Sequence, residues 1–351
     1  MTTLKNKIDF AIIFRVSKAN PNGDPLNGNR PRIDFAGHGE VTDVCLKRKA
    51  RDRLLDRFEA LDAPSRTGQA IFVQSDERRV DDAKNLRMRA ETVLTPDVMK
   101  SRDGAVKAAC AQWFDVRAFG QVFPFKAKKG KKNKGDDAEP ASEQDSDGVS
   151  IPVRGPVTIQ SAFSVERIDV ESTQIVKSTS LEGDGEKRQS DQMGMKHRVD
   201  RGVYATFGSI NPQLAERTGF NDADAEVLKT ILPKLFENDA SSARPDGSME
   251  VLKVVWWQHN CKSGQHSSAK VHRSITVNPD GQAHPGAGRP AGVGVGQRAS
   301  SAAQGRLNHP EHRAGHALLG GRGRRDRRAR PWARHAGASR RCPDRQCGSG
   351  T

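Results

Sequence analysis

Six basic residues fall within eleven positions: Lys47, Arg48, Lys49, Arg51, Arg53 and Arg57. Just upstream, residues 20–34 read NPNGDPLNGNRPRID, with Asn22, Asn27 and Asn29 as amide donors and Arg30 and Arg32 as charges. Cations beside amides and the backbone N–H groups of a glycine-rich loop are the chemistry that grips a sugar–phosphate chain. The same loop offers a second chemistry. Asp24 and Asp34 are carboxylates among Gly and Pro, where a nuclease keeps metal ligands, although turn formation explains them equally well. His259, Cys261, His266 and His272 gather zinc-ligating types. Their spacing matches no common zinc site, and they straddle Gly and Ser residues that read as a polar turn. Nucleophile elbows, phosphate-cradling loops and dinucleotide fingerprints are absent from the sequence. The pattern points to binding rather than catalysis, with no catalytic residue, metal or cofactor expected.

Those side chains need a scaffold. Ile8, Phe10, Ile12, Phe14 and Val16 alternate with smaller or polar neighbours, the pattern of a strand with one buried face. The Asn-Pro, Asn-Gly and Asp-Pro steps force turns through residues 20–34, a connection long enough to be functional. Thr42 or Asp43 then caps a helix. Its Val44, Leu46, Leu54, Leu55, Phe58 and Leu61 occupy about half of the helical wheel. Lys47 and Arg51 lie in that half, in line with Leu54 and Phe58. They either snorkel at the edge of the core or form a basic row near a helix N-terminus that favours anions. Further helices are expected over 80–94, 105–114 and 221–236, the last kinked at Pro233. Strands are expected over 157–168, 202–210, 251–257 and 271–277. Trp256 and Trp257 are adjacent and must point to opposite faces of their strand, so at most one stacks on a base. With a single Tyr and thirteen Phe, the chain is not a rich stacking platform. Strands and helices mix without a strict βα repeat, which makes the fold class α+β.

The 351 residues carry a net charge of +15, but unevenly. Residues 282–351 hold 14 Arg, three acids and no Lys, a net of +11, which leaves only +4 on the other 281 residues. Such a segment cannot bury a core that offsets its ordering entropy, so disorder is expected. Either it is an Arg/Gly-rich nucleic-acid arm, or it is an out-of-frame read of a GC-rich gene. Arg without Lys favours the second reading. Cys342 and Cys347 lie in this tail and are given no metal-binding role. Residues 126–147 switch from a lysine block to an acidic block and read as a solvated surface insertion. No apolar run is long enough to span a membrane. Residues 1–9 lack the apolar stretch of a secretory signal, and five scattered cysteines make no disulfide framework. A cytoplasmic protein with a polyanionic partner is expected.

Longer motifs carry a resemblance. The first strand, the NPNGDP loop and GHGEVTDVCLKRKARD (37–52) resemble the backbone subunit of type I-C CRISPR Cascade, the Cas-seven family (Csd-type). DVRAFG (115–120), VRGPVTIQ (153–160), MGMKHRVDRGVY (193–204) and ENDASSARPDGSMEV (237–251) follow in the family's order, so the likeness covers about residues 5–280. It implies an RRM-like (ferredoxin-like) palm with inserted finger and thumb elements over 1–281, with 169–195 as the thumb candidate. It also implies copies stacked head to tail along a CRISPR RNA, an open filament built on one heterologous contact. The guide, not the protein, would read sequence and support R-loop formation on the target DNA strand. Other Cascade subunits and a recruited helicase–nuclease would complete the antiviral machinery. Within the matched motifs the RNA-contacting candidates are Asn22, Gly23, Lys47, Lys49, Arg51, Arg117, Arg154, Gly155, Lys196, His197 and Arg198. The sequence departs from the family pattern after VHRSITVNPDG (271–281), where another core segment would be expected and the Arg-rich tail begins. Two other classes compete. One is an RNA-guided ribonuclease of the type III kind that uses Asp24. The other is a non-specific RNA-binding protein driven by the basic tail.

Overall fold

The computed structural model describes residues 2–125, 149–176, 193–286 and 297–298. They lie in one compact unit, Met1–Gln304. None of the described helices is long and apolar enough to cross a membrane.

Strand β1 (Ile8–Ala19) leads into the turn-rich loop, which makes two minimal strands, β2 (Gly23–Asp24) and β3 (Arg30–Pro31). The chain returns through β4 (His38–Val41) to helix α1 (Asp43–Ala60). Helices α2 (Leu86–Glu91), α3 (Arg102–Gln112) and α4 (Phe114–Phe119) follow, then a hairpin of β5 (Gly120–Phe125) and β6 (Val149–Arg154). Strands β7 (Val157–Ile159), β8 (Ala162–Arg167) and β9 (Val170–Val176) precede the 18-residue β10 (Met193–Ile210). Helices α5 (Pro212–Thr218) and α6 (Asp222–Ile231) come next, then β11 (Met249–Gln258) and α7 (Ser268–His272). Three short strands close the described chain: β12 (Ile275–Val277), β13 (Ala283–Pro285) and β14 (Gln297–Arg298).

The main sheet runs β14-β11-β1-β10-β8-β4, with β7 and β9 also paired to β10, and its pairings are antiparallel. The expected apolar face of β1 is realised, but over Ile8–Phe14 the strand is buried on both faces rather than one. Ile8, Phe10, Ile12, Phe14 and Val16 face a core built with Leu46, Ala50, Leu54 and Leu55 of α1 and Ala225, Leu228 and Ile231 of α6. On the opposite face Asp9, Ala11 and Ile13 are buried too, and Ala11, Val255 and Trp257 pack with Val271 of α7. Trp256 and Trp257 therefore do point to opposite faces, and both are buried, so neither is open to a base. A second cluster, Phe72, Trp113, Phe123 and Ile151, unites α3 with the β5–β6 hairpin.

Several expected elements differ in extent. Residues 80–94 are helical only over Leu86–Glu91, because the Asn85 side chain caps Met88 N–H and starts the helix there. Residues 157–168 form two strands rather than one, broken at Gln160. The 221–236 helix ends at Ile231 and tightens to a 3₁₀ turn at Leu232–Lys234, where Pro233 has no N–H to continue the ladder. Residues 271–277 are not one strand. The segment opens with α7 and becomes extended only at Ile275. The boundary expected at 281/282 falls inside a hairpin: Gly281, at φ +83°, turns β12 into β13. The 126–147 insertion, residues 177–192 of the thumb candidate and most of the tail lie outside the described residues.

Candidate nucleic-acid interface

The first loop and the start of α1 are fastened together. Asn22 Oδ1 accepts from both the N–H and the hydroxyl of Thr42, each at 2.9 Å. Thr42 Oγ1 in turn accepts from Cys45 N–H at 3.3 Å, closing the helix N-cap. Gly23 lies so close to the Asn29 side chain that a β-carbon would collide with it. Asn22 and Gly23 thus shape the loop. Asp24 braces it too: its Oδ1 accepts from Leu26 N–H at 3.2 Å and pairs with Arg32 at 3.1 Å.

The basic row of α1 is spent inside the chain. Lys47 pairs with Asp43 at 2.9 Å and Arg48 with Asp52 at 3.1 Å. Buried Lys49 pairs with Asp239, Arg53 with Asp56 at 2.8 Å, and Arg57 donates to Gln69 at 3.0 Å. Arg51 neither snorkels nor stands free. It pairs with Asp115 at 2.9 Å and lies over the Phe119 ring. The DVRAFG motif is an internal junction. Asp115, wholly buried, also accepts from Phe72 N–H at 2.7 Å and Val73 N–H at 3.1 Å. Arg117 holds Asp224 with two bonds of 2.8 and 2.9 Å and donates to the carbonyls of Gly68 and Cys110. Gly155 packs so tightly on the Ala118 carbonyl and Gly120 N–H that no side chain fits. Lys49, Arg51 and Arg117 are engaged within the chain, as a buried charge left without a partner is costly, and Gly155 is held by close packing.

The remaining candidates are on hairpins. Arg154 ends β6, exposed and without a partner among the described residues. Lys196, His197 and Arg198 lie on the part of β10 that pairs with β9 and runs past the end of β1. Lys196 has no partner among the described residues. His197 Nδ1 bonds Ser172 Oγ at 2.8 Å, and Arg198 pairs with Glu171 at 2.8 Å on the surface. Exposed Ile175, Val176, Met193 and Met195 accompany them. Arg30 on β3, named as a loop charge, is exposed and unpartnered among the described residues; sequence reasoning passed over Arg167 on β8, which is exposed and unpartnered in the same sense, and Phe35, which is fully exposed. A phenylalanine between a strand and a helix reads as core; only the turn geometry shows otherwise.

Two of the four residues weighed as a zinc site, His259 and His272, flank a carboxylate instead. Asp9 is wholly buried; His259 Nε2 lies 2.8 Å and His272 Nε2 3.5 Å from its two oxygens. His259 Nδ1 accepts from Gln265 N–H at 3.0 Å, which leaves the proton on Nε2 to be donated to Asp9. Burial works to raise the Asp9 pKa. The imidazoles of His272 and His259, the Ser268 hydroxyl and the Lys7 charge outweigh it and hold the carboxyl at about 2. Among the described residues no group of His, Cys, Asp and Glu could hold a metal ion.

The family described as "CRISPR-associated protein Cas7" matches residues 6–288. A Haloferax volcanii protein described as "CRISPR-associated protein Cas7" is 29% identical over 267 residues, 72% of this chain and 71% of that protein. A chain of a "CRISPR RNA-guided surveillance complex, pre-nicking" aligns at 18% identity and a TM-score of 0.40, over 71% of this chain and 75% of that one. A chain of a "CRISPR RNA-guided surveillance complex" aligns at 17% identity and a TM-score of 0.33, over 71% and 68%.

Proposed function

The chain belongs to the Cas7 family, and from that premise we propose that it is the non-catalytic backbone subunit of a CRISPR RNA-guided surveillance complex. In this reading it is a type I-C Cascade subunit acting in the cytoplasm. The sheet is the RRM-like palm and the β9–β10 hairpin is the base of the thumb. Copies stack head to tail along the guide, which pairs with the target DNA strand. Other subunits complete the complex, and a recruited helicase–nuclease cuts the DNA. The observation that carries the reading is the extent of the family match, which begins before β1 and ends after β13. Arg154 and Lys196 on hairpins, with Arg30 and Arg167, all unpartnered among the described residues, supply phosphate contacts of the kind that position a strand without reading its sequence.

Asp24 as a ribonuclease acid is the weaker reading, since its carboxylate already serves Leu26 N–H and Arg32. Mixing the full chain with repeat–spacer RNAs of increasing length tests the proposal. The mass of the assembly should rise in subunit-sized steps with RNA length, with no cleavage of a complementary RNA. Removing residues 299–351, which keeps β13 and β14, should leave that stepwise assembly intact. A tail-driven binder would instead lose most of its affinity and salt dependence.

A further inference from the structure

Phe35 sits at the tip of a turn that is built, not slack. The Asp34 carboxylate accepts from Ala36 N–H at 2.9 Å and His38 N–H at 2.8 Å. Asp34 N–H donates to the His38 carbonyl at 2.8 Å and Gly37 N–H to the Asp34 carbonyl at 3.1 Å. Gly37 takes φ +88°, a backbone state that side chains resist. The turn is pinned to the sheet as well: Ile168 N–H donates to the Gly37 carbonyl at 3.1 Å, and His38 Nδ1 donates to the Ser164 carbonyl at 3.0 Å. This fixed turn presents an aromatic ring wholly to solvent.

Its surroundings are cationic. Arg167 stands opposite His38 in the β4–β8 pair, its aliphatic stem beside Gly37. Arg30, on the same loop, is exposed. Neither has a partner among the described residues. Nearby Asp34 is occupied by two N–H groups and Asp24 by Leu26 N–H and Arg32. Glu40, opposite Phe163, and Glu166 are the carboxylates left on this edge.

The geometry points to Phe35 as a stacking surface for an unpaired nucleobase, with Arg167 and Arg30 contacting the sugar–phosphate chain on either side. This deepens the guide-binding reading and rests on it. An aromatic face with exposed guanidinium side chains on the same loop and on the strand paired beside it tolerates any base, as a subunit that must bind every guide requires. A protein partner would instead engage Phe35 together with Leu26 and Ile33, the other exposed apolar groups of the loop.

The test uses the full chain with a fluorescent oligouridine and an oligothymidine of equal length. Phe35→Ala should weaken binding about tenfold or more, and Phe35→Leu should do the same. Phe35→Trp should bind like the parent, with its indole emission quenched by the oligonucleotide. Arg167→Gln should weaken binding and lower the salt slope by about one. Loss on the RNA probe alone assigns the contact to the guide; loss on both assigns it to chemistry the strands share. Three results overturn the proposal: parental affinity in Phe35→Ala, full rescue by Phe35→Leu, or unchanged affinity with loss of RNA-free self-association in sedimentation. If the parent chain binds neither probe, the guide-binding reading itself fails and the stacking contact goes with it. Parental binding with an indifferent Phe35→Ala sinks the stacking contact alone.

Discussion

Arg117 and Arg167 carry the same guanidinium and do different things. Around Arg117, in the helical interior, cations meet carboxylates: Arg117 with Asp224, Arg51 with Asp115, and Lys49 with Asp239. Around Arg167, at the β4–β8 edge, Arg167 and Arg30 have no partner among the described residues, and nor has Arg154 on its hairpin. Burial explains the first group, since an interior charge must be paired and hydrogen-bonded. Surface charges carry no such demand and remain available to a phosphate. The comparison teaches that basic density along a sequence does not locate a nucleic-acid contact. The densest basic stretch among the described residues, on α1, is consumed by the fold.

The strongest way to break this contrast is Arg117→Ala. It strands the buried Asp224 carboxylate and leaves the Gly68 and Cys110 carbonyls without their donor. A loss of about 3–5 kcal/mol is expected in chemical denaturation, and Asp224→Asn in the same background should recover part of it. A near-neutral Arg117→Ala would erase the distinction between the two regions.

A smaller effect sharpens the interior side. Asp9 is held at about 2, below its ordinary 3.8. A carboxylate with a depressed folded pKa contributes stability that is fully present above the unfolded value and is lost as pH falls through the folded one. About 2 kcal/mol should therefore disappear between pH 4 and pH 2. Asp9→Asn should flatten that part of the stability–pH curve. A curve of unchanged steepness in Asp9→Asn would contradict the assignment.

The smallest stability effect belongs to the exposed side. Arg154→Gln should change folding stability by less than about 0.5 kcal/mol, yet reduce the salt slope of RNA binding by about one. A variant that unfolds, or that binds RNA with the parental slope, would move Arg154 to the structural group.

What the sequence reveals follows from the range of the interaction. The apolar face of β1 and the helix cap, read as Thr42 or Asp43 and found at Thr42, are local patterns and appear in the structure; the burial of the other face of β1 depends on distant β11 and α7 and was not read. The opposition of Trp256 and Trp257, which follows from strand geometry alone, appears as well. The partners of Arg117, Lys49 and Asp9 lie 107, 190 and 250 residues away. No window of sequence shows that these groups are paired. Helix α7 was hidden for a related reason: five residues carry no periodicity, and His272 on it meets Asp9 at the far end of the chain. Phe35 was hidden because exposure depends on how the Asp34 turn is fastened, not on residue type.

The most direct measurement is to express the chain with a CRISPR array and the neighbouring Cascade genes, purify it, and sequence the RNA that accompanies it. The account predicts discrete spacer-containing RNAs of uniform length in a large complex. Random cellular RNA, or none, would contradict it.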